Sequence, residues 1–134
     1  MNNSTTEPAR EIEIGSYVAL TFWRAPKKNR DAVVQVGRQN DQIWRKHGML
    51  RSETFLLGTR DVPTGCKSIA NILSAADEGE DLWVLQQFFR DRDHADKVLS
   101  NVIKDESINK VVKEFYGEIA QGQSLVTGGF SRIV

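Results

Sequence analysis

The chain lacks the residues on which several classes of protein depend. Its single cysteine, Cys66, cannot form a disulfide within the chain. No apolar run approaches the roughly 20 residues of a membrane-spanning helix. The polar opening of Met1 to Arg10 also lacks the apolar centre of a secretory signal. We therefore expect a cytoplasmic protein without a membrane partner.

Net charge and cofactor motifs are missing as well. Lys plus Arg and Asp plus Glu both number 18, so the balance gives no general attraction to nucleic acids. The chain contains no GxGxxG or GxxxxGK loop, no HExxH helix and no cysteine pair. The sequence predicts no cofactor, no metal and no nucleic-acid partner.

A periodic pattern of apolar residues runs through most of the 134 residues and indicates one domain. Residues 1–13 are polar and predict a flexible tail, and residues 14–134 predict a single folded domain. The predicted elements are, in chain order, a strand over 15–23, a helix over 31–47, a strand over 49–57, a long connection over 58–80, a strand over 82–89, a helix capped by Asp91, a helix after Asp105 and a strand over 124–134. Within the last strand, Gly128 and Gly129 indicate a bulge or a close backbone approach.

The order of strands and helices favours an α+β fold with a four-stranded antiparallel sheet, the ferredoxin-like βαββαβ sandwich. An antiparallel sheet usually turns one polar face to water, yet the first and third strands carry apolar or aromatic residues on both sides. The helices can cover only one face. We therefore predict that the other face packs against a second copy, which gives a homodimeric α+β barrel.

Four short motifs give the chain a family resemblance from about Tyr17 to Val134. They are Trp44-Arg45-Lys46-His47-Gly48, Asp61-Val62-Pro63-Thr64-Gly65, Arg92-Asp93-His94 and Gly128-Gly129-Phe130. In their order and spacing the chain resembles the YbaA-like family (domain of unknown function 1428), within the dimeric α+β barrel superfamily. The resemblance implies the fold and the dimer, and a wider kinship with cofactor-free monooxygenases and small isomerases.

His47 is the candidate catalytic residue. It lies in the last turn of a predicted helix, and Gly48 follows where a left-handed cap is expected. At the edge of a cavity between helices and sheet, its imidazole would serve as a base or hydrogen-bond donor near neutral pH. The structural alternative is that His47 only completes the helix, where its charge favours the negative end of the helix dipole.

The candidate ligand-binding residues are mostly aromatic. They are Trp23, Trp44, Trp83, Phe88, Glu53 and His94. Aromatic walls with few polar groups suit a small, mostly apolar molecule, although plain core or dimer packing is the favoured explanation of the tryptophans. Near the start of its helix, His94 is expected to be a neutral, hydrogen-bonding imidazole. Glu53 faces either the cavity or solvent, depending on the strand register.

Three functional hypotheses remain from the residues alone. The first is an enzyme that acts on a small organic molecule without metal or nucleotide, with His47 in proton transfer. The second is a binding or regulatory dimer without chemistry. The third is an RNA-recognition motif, but Leu82 to Phe89 has none of the basic residues that such a third strand needs.

Overall fold

The computed structural model describes residues 15–75, 79–119 and 125–134. The predicted tail over residues 1–13 lies outside these ranges. The helices and strands are β1 (Tyr17–Pro26), a 3-10 turn (Lys27–Asn29), α1 (Arg30–Lys46), β2 (Arg51–Leu56), α2 (Ile69–Ile72), β3 (Glu80–Phe89), α3 (Arg92–Lys104), α4 (Glu106–Glu118) and β4 (Val126–Ser131). No helix in the described ranges is both long and apolar enough to cross a membrane.

The four strands form one antiparallel sheet in the order β2-β3-β1-β4. The predicted α+β class with a four-stranded antiparallel sheet is therefore confirmed. The two central strands are the longest, and they pair from Tyr17 opposite Phe89 to Pro26 opposite Glu80. Because side chains alternate along a strand, this register decides which residues of β1 and β3 share a face.

The three long helices cover one face of the sheet. This face carries the odd-numbered residues of β1 together with Trp83 and Phe89 of β3. One buried cluster joins Phe89 to Val98 and Val102 of α3, and another joins Trp23 and Trp83 to Val33 of α1. Burial of these side chains is the main force that holds the helical layer on the sheet.

The opposite face of the sheet is largely apolar, and none of the long helices in the described part of the chain lies over it. The register arranges its side chains in three cross-strand rows: Arg51, Phe88, Val18 and Phe130; Glu53, Gln86, Leu20 and Gly128; and Phe55, Val84, Phe22 and Val126. Phe55, Val126 and Phe130 expose 48%, 46% and 54% of their surface. We call this surface the open face.

Helix ends follow the predicted signals. The side chain of Asp91 accepts a hydrogen bond from the backbone N–H of His94 at the start of α3, and Asp105 accepts one from Ser107 at the start of α4. Gly48 has a φ of 111°, the left-handed conformation expected just beyond the end of α1. α4 continues past Gly117 and ends at Glu118.

The long connection predicted between β2 and β3 contains, in its described residues, one turn of helix, α2. It packs on Leu82 through Ala70, Ala75 and the half-buried Ile69 and Leu73. Ile72, in contrast, exposes 63% of its surface. The connection therefore covers the end of the open face near Leu82 and leaves the three rows uncovered.

At Gly129, where we predicted a bulge or a close backbone approach, the close approach is made by the side chain of Tyr17 on the neighbouring strand. A Cβ atom at this position would lie 1.8 Å from Oη of Tyr17, so the tyrosine ring occupies the space that any other residue would need. The pairing of β1 with β4 runs without a bulge from Tyr17–Ser131 to Phe22–Val126. Glycine is therefore required here for packing against its neighbour strand.

Candidate functional site

A cavity of about 850 Å³ lies between the helical layer and the covered face of the sheet. Its lining comes from α1, α3, α4 and the three strands β1, β2 and β3, and includes Leu125 before β4. The apolar part of the lining comprises Trp23, Val33, Val34, Val36, Trp44, Trp83, Leu85, Leu99, Ile103, Ile108, Val111, Val112, Phe115, Tyr116 and Leu125. This volume lies within the usual range for small-molecule sites, about 300–1,000 Å³.

Three tryptophans stand in the cavity wall. Trp23 and Trp83 are directly opposite on neighbouring strands, and their rings stack with centroids 6.1 Å apart. The indole N–H groups of both are sealed by protein atoms and have no acceptor among the described residues. Trp44, in contrast, donates its indole N–H to Oδ1 of Asn40, one turn earlier in α1. These rings therefore offer apolar surface to a bound molecule.

The half-buried polar side chains of the lining already bond to protein partners, whereas its other polar residues besides Gln87 are exposed to solvent, namely Arg38, Gln42, Thr54, Asn109 and Tyr116. Asp41 of α1 accepts hydrogen bonds from the Ser52 hydroxyl of β2 and from Nε of Arg45. On the sheet floor, the Thr21 hydroxyl lies 3.1 Å from that of Thr127, which donates to the backbone of β1. These contacts fix α1 to the edge strand and engage the half-buried polar groups of the lining.

Gln87 is the exception. It lines the cavity from the middle of the sheet and exposes only 6% of its surface, and among the described residues its Nε2 reaches only Sδ of Met49, at 3.5 Å. Sequence reasoning missed this residue. A signal was present, since Gln87 lies an even number of positions from Trp83 in the same strand and must share its face.

His47 does not line the cavity. Its Nε2 lies 2.8 Å from Oδ2 of Asp105, which also bonds to Nζ of Lys46 at 2.8 Å. Hydrogen bonds from Lys46, Ser107 and His47 hold the pKa of the Asp105 carboxyl well below its usual range. This cluster ties the end of α1 to the start of α4.

His94 is buried next to the end of α1 and links that end to β3. Its Nδ1 accepts a hydrogen bond from the backbone N–H of Arg90, and its ring bonds to the backbone of Gly48 and packs edge-on against Phe89. Burial, followed by the nearby charge of Arg90, lowers the pKa of His94 below its ordinary value. The ring is therefore neutral near pH 7 and carries its proton on Nε2.

Two further predicted site residues lie on the open face. Phe88 stacks under the guanidinium of Arg51, whose central carbon is 4.0 Å from the ring centroid. Glu53 lies 3.4 Å from the same arginine and is exposed. The structure thus brings Trp23, Trp44 and Trp83 together at the cavity and places Phe88, Glu53 and the two histidines elsewhere.

Fold and site together define a class: a small α+β protein with a largely apolar cavity between three helices and a four-stranded antiparallel sheet. The family model described as protein of unknown function (DUF1428) matches residues 16–117. The chain belongs to this family, in agreement with the resemblance seen in its sequence motifs. A search of curated proteins found no match.

The state of His94 gives a testable pH dependence. We expect its ring to titrate below the ordinary histidine value of about 6.5. In that window the unfolded chain binds more protons than the folded chain, so the contribution of His94 to the free energy of unfolding decreases as the pH falls below about 6.5. Histidine NMR titration measures the pKa, with His47→Gln used to assign the two ring signals.

Urea unfolding between pH 5 and 7.5 provides the second measurement for His94. The variant His94→Gln should lose the part of the pH dependence that the wild type shows in this window, because the substituted side chain does not titrate. A ring pKa at or above 6.5, or an identical pH slope in both proteins, would contradict a buried neutral histidine.

Proposed function

We propose that this protein is a homodimer that binds a small, largely apolar organic molecule in the cavity between helices and sheet. The observation that carries the proposal is the cavity of about 850 Å³ with three tryptophans in its wall. The cavity is partly open to solvent, and some of its apolar lining is exposed, including Ile103 at 65% and Leu99 at 43%. A bound molecule would remove this apolar surface from water.

Filling the cavity tests the binding proposal. Gly37 of α1 contributes to the lining, and a Cβ added there meets no atom within 4 Å. We expect Gly37→Phe to abolish binding of the neutral fluorescent probe N-phenyl-1-naphthylamine, because the new ring occupies the probe's volume. Gly37→Ala is the matched control and should keep binding while stabilising the helix by about 0.5–1 kcal/mol.

Fluorescence titration of the probe measures both affinities, and thermal unfolding measures the stability of each variant. Equal affinity of Gly37→Phe and the wild type would show that the probe binds elsewhere, for example on the apolar open face. That result would remove the cavity from the proposal.

The proposed assembly is a ferredoxin-like sandwich that pairs into a dimeric α+β barrel. The strand order β2-β3-β1-β4 supports the sandwich, because α1 connects β1 to β2 while α3 and α4 connect β3 to β4. The exposed aromatic rows of the open face support the pairing. Contiguous apolar surface of this kind marks interaction sites in soluble proteins.

A second copy is the occupant that we propose for the open face. The longest part of the chain outside the described ranges, residues 1–14, is mostly polar and offers little apolar surface to cover it. The open face itself alternates two rows that carry phenylalanine with a middle row that contains Gly128. Around a two-fold axis such a surface can be self-complementary, since prominent rows of one copy meet the shallow row of the other.

A charge placed on the open face should break the dimer. In Phe130→Glu the two-fold axis would bring the substitution into the interface twice, so we expect dimerisation to weaken by at least about a hundredfold. Sedimentation equilibrium measures the association. Ile72→Glu is the matched control, because Ile72 is also an exposed apolar residue but belongs to α2.

A wild-type protein that sediments as a monomer, or equal dissociation of the two variants, would contradict the proposed interface.

Catalysis by His47, in a cofactor-free oxygenase- or isomerase-like reaction, stays a second hypothesis and has weaker support. The imidazole bonds to Asp105 and lies outside the cavity lining. If His47 does transfer a proton, His47→Ala should abolish oxygen uptake or proton exchange with a ligand of the cavity while its affinity is retained. Unchanged turnover in His47→Ala would eliminate this residue as the catalytic base.

A further inference from the structure

Gln87 is a buried amide whose hydrogen-bonding capacity is largely unused. A carboxamide has two N–H donors and an oxygen with two lone pairs. The only side-chain hydrogen bond of Gln87 among the described residues is from Nε2 to the sulfur of Met49, at 3.5 Å, and thioether sulfur is a weak acceptor. Burying an amide without partners costs free energy, so a residue of this type at this place requires an explanation.

The amide oxygen of Gln87 is open to the cavity. This oxygen accepts no hydrogen bond from the described residues. The indole nitrogens of Trp23 and Trp83 also lack partners, but they are fully enclosed by protein atoms, whereas the Gln87 oxygen is not. Gln87 lines the cavity while exposing 6% of its surface. The space that its oxygen contacts is therefore the cavity, and a molecule bound there can reach it.

No other buried polar side chain of the described chain lines the cavity. The other buried polar residues are Ser68, Asp81 and His94, and none contributes to the lining. Of the hydroxyl groups in the lining, Ser52 is bonded to Asp41 and Thr21 to Thr127, and those of Thr54 and Tyr116 belong to side chains exposed to solvent. Gln87 is thus the one deep point in the described lining where a polar group of a ligand would find an unused partner.

The charges of the lining indicate a neutral ligand. Asp41 is paired with Arg45 at 2.9 Å and with the Ser52 hydroxyl. Arg38, the other charged residue of the lining, is exposed to solvent. An ionised group beside Gln87 would lose its hydration and meet apolar walls such as Leu85 and Trp83, which is costly without a counter-charge.

From these contacts we infer that the cavity selects a neutral molecule with an apolar, aromatic-sized body and one polar head. The head carries both a donor and an acceptor, as a carboxamide or a hydroxy-carbonyl group does, and pairs with the carboxamide of Gln87. The body lies against Trp83 and Leu85 on the same strand. This inference rests on the proposed ligand-binding function and specifies its chemistry.

Three probes with the same ring system test the inference. They are 2-methylnaphthalene, naphthalene-2-carboxamide and 2-naphthoate, which differ only in having no polar head, a neutral head or an anionic head. With the wild-type chain we expect the carboxamide to bind about tenfold more tightly than either of the others, the size of effect that one or two net hydrogen bonds produce. NMR titration of the protein gives the dissociation constants.

The variant Gln87→Leu should bind 2-methylnaphthalene at least as well as the wild type and should lose the preference for the carboxamide. Gln87→Met is a second variant of similar size, and circular dichroism checks that both fold. The inference is overturned if the preference survives in these variants, or if 2-naphthoate is the tightest ligand of the wild type.

The two proposals fail in different ways. If 2-methylnaphthalene binds in the cavity, as judged by its loss in Gly37→Phe, but the carboxamide has no advantage, only the inference about Gln87 is wrong. If none of the three probes binds to the wild type, both the inference and the ligand-binding function are contradicted.

Discussion

Apolar side chains on both surfaces of one four-stranded sheet are the constraint on which this structure depends. β1 and β3 are the central strands and contribute to both surfaces. Three long helices can cover one surface, and they do so through the clusters around Phe89 and Trp23. The remaining surface keeps Phe55 and Phe130 about half exposed, so the folded monomer leaves part of the hydrophobic driving force unused.

The position of α1 explains why a cavity exists beneath the helices. At its start, Arg30 makes a bidentate ion pair with the buried Asp81 of β3: Nε lies 3.0 Å from Oδ2 and Nη2 lies 2.8 Å from Oδ1. At its other end, Lys46 and His47 both bond to Asp105. The helix is therefore attached at both ends by polar contacts, while Gly37 in between has no side chain to fill the space below. These polar contacts at the ends act together with the buried Val33 and Val36 between them, which pack in the two core clusters, to set the distance between α1 and the sheet.

Local signals in the sequence predicted the elements and their caps. Asp91, Asp105 and Gly48 act through neighbouring residues, so their effect can be read from short segments. The α+β class followed from the order of those elements. Faces and contacts between distant segments were harder, because they depend on strand register and on how helices sit over the sheet.

The predicted site shows where this limit lies. Trp83 and Phe88 are five residues apart in one strand, so regular alternation puts them on opposite faces, and the sequence already contained this information. No local signal in the sequence indicated the hydrogen bond between His47 and Asp105, which lies 58 positions further along the chain. A histidine near a helix end fits a cavity edge or a structural bond equally well, and only the tertiary position of α4 decides between them.

The register itself has the larger consequence. Since β3 sends Trp83, Leu85 and Gln87 to one side and alternate residues to the other, a shift by one position would exchange the cavity floor and the open face together. Both surfaces are therefore specified by one set of backbone hydrogen bonds, and neither can be altered by a change of register without losing the other.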